Sequence, residues 1–301
     1  MSIKIQKPFI KWVGGKTQIM EDIIKNIPEE MNNYHEIFLG GGSVLLAVLS
    51  LQKAGKITIK NSIYAYDLNK NLINVFKNIQ SNKDELYKDL KYYFEEYDKL
   101  TGTDINRKPK TEEEGKTSKE SYYYWIRNMF NTMDKNTVKY SSMFIFLNKT
   151  CFRGIYREGP NGFNVPYGHY KKTPQIISKE ELDNISLLIK DVKFVHSDFN
   201  NSIPKAIKDD FVYLDPPYVP ESVTSFVGYT SDGFSLENHK KLFEMIKSLN
   251  EKKIKFMMSN SNVRLVTDEF KTPYKINKID ARRAIHSKKP DSMTKEVIIT
   301  N

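Results

Sequence analysis

Hydrophobic and polar positions follow two periods along both ends of the chain, and this pattern predicts strands and helices in turn. Short, mostly apolar runs predict strands, and longer stretches with apolar residues on one face predict helices. In the amino-terminal part the predicted order is a strand at 34–38, a helix at 43–53, a strand at 63–66 and a helix at 69–79. Such a βαβα order is typical of an α/β fold.

The same pattern resumes near residue 179 and continues to the last residues. The predicted helices are at 179–189 and 235–249, and the predicted strands are at 192–195, 211–214, 254–258, 274–279 and 295–300. These elements would complete a Rossmann-like, doubly wound sheet that is mostly parallel.

Residues 80–178 have a different character, with charged, tyrosine-rich helical stretches and a segment dense in glycine, arginine and aromatic residues. The simplest architecture is one α/β domain formed by 1–79 and 179–301, with 80–178 as an inserted, mainly helical module. Within that module, glycine-rich turns between aromatic residues in 147–172 predict a β-hairpin.

Composition narrows the functional classes. The 301 residues include 47 lysines and arginines against 37 aspartates and glutamates, a net charge of +10, which favours a polyanionic partner such as nucleic acid. Cys151 is the only cysteine, which excludes an internal disulfide and a cysteine-based zinc cluster. The five histidines have no metal-ligand spacing, so no metal site is predicted.

The sequence pattern predicts neither a membrane span nor a signal peptide. No apolar run approaches the roughly 18 residues of a membrane span, and the first residues lack the apolar core of a signal peptide. We therefore expect a cytoplasmic protein with no membrane partner.

The stretch FVYLDPPY, residues 211–218, places a carboxylate where a buried strand ends. Pro216 and Pro217 cannot continue a hydrogen-bonded ladder, so the chain must leave the sheet at Asp215. Ligands of open α/β sheets bind at the carboxyl ends of the strands, which makes Asp215 a candidate catalytic residue. An ordinary Asp-Pro turn is the structural alternative.

A glycine-rich turn follows the first predicted strand in EIFLGGGSVLL, residues 36–46. Glycines at this place let a ligand approach the backbone closely. Asp67 ends the next strand, at the separation where an acid binds the ribose hydroxyls of a nucleoside cofactor. An aspartate that caps the following helix is the less favoured alternative. Together these features predict an adenosine-containing cofactor. In KWVGGK, residues 11–16, Lys11 and Lys16 would flank such a site, whereas Trp12 as a packed amino-terminal plug is the alternative.

Five motifs occur in order across nearly the whole chain: KPFIKWVGGK, IFLGGGS, YAYDLNKNLIN, FLNKTCFRGIYREGPNGFNVPYG and VYLDPPY. Together they resemble the Dam-type DNA adenine-N6 methyltransferases, the α-group amino-methyltransferases that use S-adenosylmethionine. The resemblance implies a site-specific, adenine-specific DNA methyltransferase that acts on an adenine flipped out of double-stranded DNA. It also implies that 80–178 is the target-recognition domain and that the remainder is the catalytic and cofactor-binding domain.

The resemblance assigns cofactor contacts to several segments. The glycine turn would hold the cofactor, Asp67 its ribose, Asp198 and Phe199 its adenine, and the KWVGGK segment would close over its methionine part. The implied cofactor-binding residues are Trp12, Gly15, Lys16, Phe38, Gly40, Gly42, Ser43, Asp67, Asp198, Phe199 and Asp215.

The catalytic residues implied by the last motif are Asp215, Pro216, Pro217 and Tyr218. Asp215 and the carbonyl of Pro216 would accept the two N–H groups of the adenine amine, and the two prolines would keep both acceptors rigid. Tyr218 would stack on the flipped base. By the same resemblance, residues 222–234, with Ser225 and Tyr229, would fill the space that the base leaves.

The implied DNA-contacting residues are Lys11, Phe152, Arg153, Arg157, Asn164, Pro166 and Tyr170. Arg157 is the candidate for a bidentate guanine contact and Pro166 for a contact with a thymine methyl group, while Lys171 and Lys172 would bind phosphates. A structural hairpin with surface charge is the alternative. Arg153 stands where members specific for GATC often have asparagine, so GATC is only the leading candidate among short palindromes.

Other functions remain open on the sequence. A methyltransferase of the same fold could act on RNA or on a protein amide nitrogen, and the chain could be a catalytically dead, DNA-binding relative. A nicotinamide oxidoreductase is the least favoured, because the DPPY motif has no role in hydride transfer. The resemblance further suggests a monomer, found in the cytoplasm or with the DNA of a nucleoid or a viral factory, and a separate cognate restriction endonuclease as a possible partner.

Overall fold

A computed structural model describes residues 3–220, 234–282 and 293–301 of the chain. Its centre is a seven-stranded mixed sheet. In chain order the strands are β1 Tyr34–Glu36, β2 Ile63–Asp67, β3 Val192–His196, β4 Phe211–Leu214, β5 Lys255–Ser261, β6 Lys275–Arg282 and β7 Met293–Thr300. In space they follow the order β6-β7-β5-β4-β1-β2-β3.

The helices are numbered in chain order. They are α1 Met20–Lys25, α2 Ser43–Lys53, α3 Lys70–Ser81, α4 Lys83–Lys99, α5 Glu112–Gly115, α6 Lys119–Thr132, α7 Val138–Thr150, α8 Lys179–Leu188, α9 Phe199–Ser202, α10 Leu236–Glu251 and α11 Arg264–Thr267. Short 3₁₀ turns lie at Lys16–Gln18, Phe152–Gly154 and Ile203–Lys205. Two small strand pairs stand apart from the main sheet, Glu30–Met31 with Thr58–Ile59 and Glu158–Gly159 with Gly162–Phe163.

The five neighbouring strands β5, β4, β1, β2 and β3 run parallel to one another. β7 lies beside β5 and runs antiparallel to it. β6 then pairs antiparallel with β7 at the edge. The predicted strands and helices of the two end regions are confirmed, and the helix predicted at 43–53 has the same bounds as α2. The sheet is therefore mixed and mostly parallel, as the pattern predicted.

Strand β4 shows why a short apolar run marks a central strand. Phe211 and Tyr213 pack into a core shared with α2 and α3, whereas Val212 and Leu214 pack into a second core shared with α10. All four side chains are buried because both sheet faces are covered by helices. This double burial accounts for an unbroken apolar run that lacks polar alternation.

The segment 80–178 contributes to the first of these cores. Its buried side chains, including Leu90, Tyr123 and Phe146, are continuous with Phe76 of α3. The hairpin predicted in 147–172 is present, with Glu158 opposite Phe163 and Gly159 opposite Gly162. The division into a catalytic domain and a recognition domain remains a prediction.

Across the ranges described above, no helix is long and apolar enough to cross a membrane.

Candidate active site

The carboxyl ends of the central parallel strands gather the predicted cofactor and catalytic residues at one edge of the sheet. The glycine turn follows β1, Asp67 ends β2, Asp198 lies just beyond β3 and Asp215 follows β4. Because the chain runs from β1 outward to β3 and then returns to β4 on the other side of β1, this edge is a topological switch point. Ligands of open α/β sheets bind at such points.

Asp215 forms an ion pair at this edge in which the lysine is buried and the carboxylate is partly exposed. The Lys16 Nζ is 2.6 Å from its Oδ2, and the Lys16 side chain is only 4% exposed. Burial raises the pKa of Asp215 to about 6, although the Lys16 ammonium acts in the opposite direction. The carboxyl group is therefore mostly ionised near neutral pH and loses its charge under mild acid.

The amino-terminal segment holds Lys16 in this position. The Lys16 N–H donates to Ser43 Oγ at 3.2 Å, which ties the segment to the first residue of α2. The Lys16 ammonium donates to the Gly14 carbonyl at 2.5 Å and lies 4.8 Å from the centroid of the Tyr218 ring. Gly14 has a φ of +82°, a backbone conformation that favours glycine. Lys16 thus links the KWVGGK segment, the glycine turn and the DPPY motif.

The residues after Asp215 are clamped to the neighbouring strands. The Val219 N–H donates to Asn260 Oδ1 at 3.1 Å, and Ser261 Oγ donates to the Val219 carbonyl at 2.6 Å. The Tyr218 hydroxyl donates to Glu296 Oε2 at 2.9 Å. The chain therefore leaves β4 along a path fixed by β5 and β7.

The glycine turn and Asp67 form one hydrogen-bonded unit. Asp67 Oδ2 accepts from the Gly40 N–H at 2.9 Å, and its Oδ1 accepts from the Asn69 N–H at 2.8 Å. Burial raises the pKa of Asp67, and these backbone donors oppose the rise. Gly40 and Gly42 have φ values of +49° and +71°. The turn is therefore built on glycine conformations and held by the carboxylate of the next strand.

Trp12 packs between the glycine turn and aromatic residues of the 80–178 segment. A side chain at Gly40 would meet its indole at 3.0 Å, and one at Gly41 would meet its Cβ at 2.9 Å. Its ring stacks on Tyr156 at a centroid distance of 5.6 Å and on Phe144 at 6.3 Å. This is the packed position that the structural alternative predicted, and it also lies directly against the predicted cofactor turn.

Phe38 and Phe199 lie together on the other side of the turn. Their ring centroids are 6.0 Å apart, and both rings contact Phe234 at the edge of the described chain. Asp198 accepts the Asn200 N–H at 2.8 Å and so begins α9. Ser225 and Tyr229, which the resemblance places beside the flipped base, lie outside the described residues.

Two carboxyl groups at the site were missed in the sequence. Glu36, the last residue of β1, is 1% exposed, and its Oε2 accepts a hydrogen bond from the Tyr34 hydroxyl at 2.7 Å. Burial raises its pKa well above the usual range, and the nearby carboxylates of Asp215 and Asp67 act in the same direction. Glu36 ends a parallel strand like Asp67 does, so the strand-end rule could have found it. Glu296, the partner of Tyr218, has no such sequence signal.

The predicted DNA-contacting residues lie on and beside the hairpin within 147–172. In the stretch that continues from its second strand, Phe163, Val165 and Tyr167 are buried, whereas Asn164 and Pro166 are exposed between them. This alternation gives the hairpin one face toward the core and one face toward solvent.

Arg157 and Asn164 extend this hairpin by direct hydrogen bonds. The Asn164 N–H donates to the Arg157 carbonyl at 3.1 Å, and the Arg157 Nε donates to Asn164 Oδ1 at 2.7 Å. Both side chains are exposed. The predicted guanine-reading arginine is therefore orientated by a neighbouring predicted contact residue.

Phe152 and Arg153 lie next to this face. The Phe152 N–H donates to the Pro166 carbonyl at 2.8 Å, and its ring is 44% exposed. The Arg153 guanidinium lies 5.1 Å from that ring, and its backbone φ is +57°. Lys11 joins the same surface, since its Nζ is 3.5 Å from the Tyr170 hydroxyl, which donates to the Cys151 carbonyl at 2.9 Å. The predicted contacts thus come together from both ends of the 147–172 segment and from residue 11.

Comparison with known proteins gives one consistent answer. Residues 12–285 match the family model described as D12 class N6 adenine-specific DNA methyltransferase. The chain is 35% identical over 291 residues to the type II methyltransferase M.MjaIII of Methanocaldococcus jannaschii, covering 94% of this chain and 93% of that protein. It is 34% identical to the type II methyltransferase M1.LlaDCHI of Lactococcus lactis, covering 98% and 95% of the two chains. It is also 30% identical to the DNA adenine methylase of Haemophilus influenzae, covering 96% and 91%. The chain therefore belongs to the D12 class of N6 adenine-specific DNA methyltransferases.

Proposed function

We propose that this enzyme transfers the methyl group of S-adenosylmethionine to the N6 atom of an adenine flipped out of double-stranded DNA, within a short palindrome for which GATC is the leading candidate. The observation that carries the proposal is Asp215, held at the carboxyl end of β4 with one oxygen bound by Lys16. The ion pair engages Oδ2, so Oδ1 is the acceptor for the adenine amine.

The chemistry of an exocyclic amine explains why this arrangement suits it. The lone pair of the nitrogen is delocalised into the purine ring, so the amine is a poor nucleophile until it becomes tetrahedral. Asp215 accepts one N–H and the Pro216 carbonyl accepts the other, which favours that geometry and directs the lone pair away from the ring. A pKa of about 6 keeps Asp215 mostly ionised near neutral pH, as this role requires.

The residues at the sheet edge fit an adenosine-containing cofactor. The glycine turn lets Trp12 pack directly on its backbone, where a side chain would collide with the indole, and the two hydrogen bonds to Asp67 leave acceptor capacity for ribose hydroxyls. The Phe38 and Phe199 rings offer apolar faces for a purine. S-adenosylmethionine, when bound, supplies an electrophilic methyl group at sulfur. Asp67 then orientates the nucleoside, and Trp12, Gly15 and Lys16 cover the methionine end.

We propose that the 80–178 segment recognises the target sequence. Arg157 and Asn164, presented on the solvent face of the hairpin, read base edges, while Lys171 and Lys172 are exposed for phosphate contacts. Pro166 on the same face suits contact with a thymine methyl group. A division of labour follows in which the insert selects the site and the sheet edge carries out the transfer.

The names of the relatives extend the proposal to biological role. Two of them are named type II methyltransferases and a third is named a DNA adenine methylase. On that basis we propose that this enzyme protects DNA from a separate restriction endonuclease of the same specificity. The proposal that it acts as a monomer in the cytoplasm rests on the resemblance of the sequence motifs and not on these names.

A labelled-cofactor assay tests the proposal. The purified chain is incubated with tritiated S-adenosylmethionine and unmethylated genomic DNA, with RNA and a protein substrate mixture as parallel acceptors. The expected result is label in N6-methyladenine of the DNA alone, in one sequence context on both strands. Label in RNA or protein would support the alternative methyltransferase functions, and no label in any acceptor would support a catalytically dead relative.

A further inference from the structure

Tyr218 is held from three directions at the site. Its backbone is fixed through the next residue, because Val219 both donates to Asn260 and accepts from Ser261. The face of its ring lies 4.8 Å from the Lys16 ammonium. Its hydroxyl is bound by Glu296 at 2.9 Å.

Two of the residues that hold this part of the chain form one cross-strand pair between β5 and β7. Glu296 in β7 is directly opposite Ser261 in β5. Ser261 holds the backbone of residue 219, and Glu296 holds the side chain of residue 218. This pair therefore fixes both the path of the chain after the DPPY motif and the tilt of its aromatic ring.

We propose that Glu296 is a positioning residue that sets the orientation of the Tyr218 ring against the flipped adenine. This inference rests on the proposed function, in which Tyr218 stacks on the base.

Two features separate this role from ordinary surface stabilisation. Over residues 3–220, 234–282 and 293–301, no lysine, arginine or histidine nitrogen lies within 4.0 Å of the Glu296 carboxylate, so the tyrosine hydroxyl is its hydrogen-bonding partner rather than a salt bridge. Tyr218 and Glu296 are also both only partly exposed, so the hydrogen bond between them is partly shielded from solvent. A hydrogen bond from a phenol to a carboxylate is among the stronger neutral-to-charged bonds, so it suits the fixing of a ring.

The location of Glu296 adds a second, electrostatic consequence. Its charge acts to raise the pKa of Asp215, together with burial and against the Lys16 ammonium. The charged and titratable groups that face Asp215 are Lys16, Glu36, Tyr213, Tyr218 and Glu296. Removing the charge of Glu296 while retaining an acceptor should move the acid limb of the rate profile slightly toward lower pH.

The test is a double-mutant cycle in the full chain, measured as tritium transfer to unmethylated genomic DNA. Glu296→Leu removes the acceptor, Tyr218→Phe removes the hydroxyl and keeps the ring, and Glu296→Gln keeps an acceptor without the charge. We expect kcat to fall about tenfold in Glu296→Leu and in Tyr218→Phe, with no further loss when the two are combined. Glu296→Gln should restore kcat to within about threefold of the wild type, and the Kd for S-adenosylmethionine should change little in any variant.

The matched control is Glu244→Gln, which removes a carboxylate from an exposed position in α10. It should keep wild-type kcat. An unchanged kcat in Tyr218→Phe, or losses in Glu296→Leu and Tyr218→Phe that add in full, would overturn the positioning role. Tyr218→Phe decides the question by itself if Glu296→Leu does not fold, because it removes the same hydrogen bond from the other end. Failure of the wild-type chain to methylate DNA would instead overturn the proposed function, so the two failures are distinguishable.

Discussion

The glycine turn offers a sharp test of the packing at the proposed cofactor site. Gly42 has a φ of +71°, and a Cβ built on it would lie 2.9 Å from the Phe76 Cζ and 3.2 Å from its Cε1. Phe76 cannot move aside easily, because it is fully buried between Phe194, at a centroid distance of 5.1 Å, and Phe9, at 5.2 Å. Gly42→Ala should therefore introduce both backbone strain and overpacking.

The magnitude follows from these two contributions. An alanine in the left-handed region costs about 1–2 kcal/mol, and overpacking of a closed core costs about 1–3 kcal/mol. We expect Gly42→Ala to lower the free energy of unfolding by about 2–5 kcal/mol. Gly55 supplies the matched control, since its φ is +67° and nothing lies within 4 Å of a Cβ built there. Gly55→Ala should carry only the backbone cost, about 1–2 kcal/mol.

Urea unfolding followed by fluorescence measures both variants, with the slope of the transition checked for each. The difference between the two losses isolates the contact with Phe76. Replacing Phe76 by leucine in the Gly42→Ala background should recover part of the excess loss, because the smaller side chain makes room. Equal losses in Gly42→Ala and Gly55→Ala would refute the claim that Phe76 closes the back of the turn.

Further predictions concern charge at the site and at the hairpin. Lys16→Gln removes the ammonium that lowers the pKa of Asp215, so that pKa should rise further above about 6. The acid limb of the pH profile of kcat should then move to higher pH by about one unit or more. An unmoved limb would show that Asp215 does not control it. Arg157→Ala should weaken binding to the recognised sequence by about tenfold or more and leave binding to other duplexes nearly unchanged, as measured by fluorescence anisotropy. Lys171→Ala should weaken binding to both kinds of duplex and lower the slope of the salt dependence by about one, and a sequence-dependent effect would contradict its assignment to phosphate.

Much of the fold was predictable because burial on both sheet faces leaves a clear mark in the sequence. The apolar run 211–214 gave β4 with its observed bounds, and the one-sided pattern of 43–53 gave α2. The strand at 34–38 ends two residues earlier than predicted, at Glu36, where the chain turns into the glycine segment. Strand ends depend on tertiary hydrogen bonds, which periodicity does not record.

The position of candidate site residues was predictable where an acid follows or ends a strand in one short motif, as at Asp215 and Asp67. The ion pair of Asp215 with Lys16 was not, because it joins segments that are far apart in the sequence and depends on how the amino-terminal segment lies across the sheet edge. Glu296 was missed for the same reason, since only the pairing of β7 with β5 brings it to Tyr218. Glu36 was missed although its position at the end of β1 marks it by the same strand-end rule.

The central claim is that the Asp215 carboxylate acts directly on the adenine amine, and one measurement addresses it most closely. Asp215→Ala is compared with the wild type for tritium transfer to unmethylated DNA, alongside the Kd values for S-adenosylmethionine and for duplex DNA. Our account predicts that kcat falls by about 10²-fold or more while the enzyme still binds both ligands. Turnover close to the wild-type rate in a folded Asp215→Ala enzyme would contradict it.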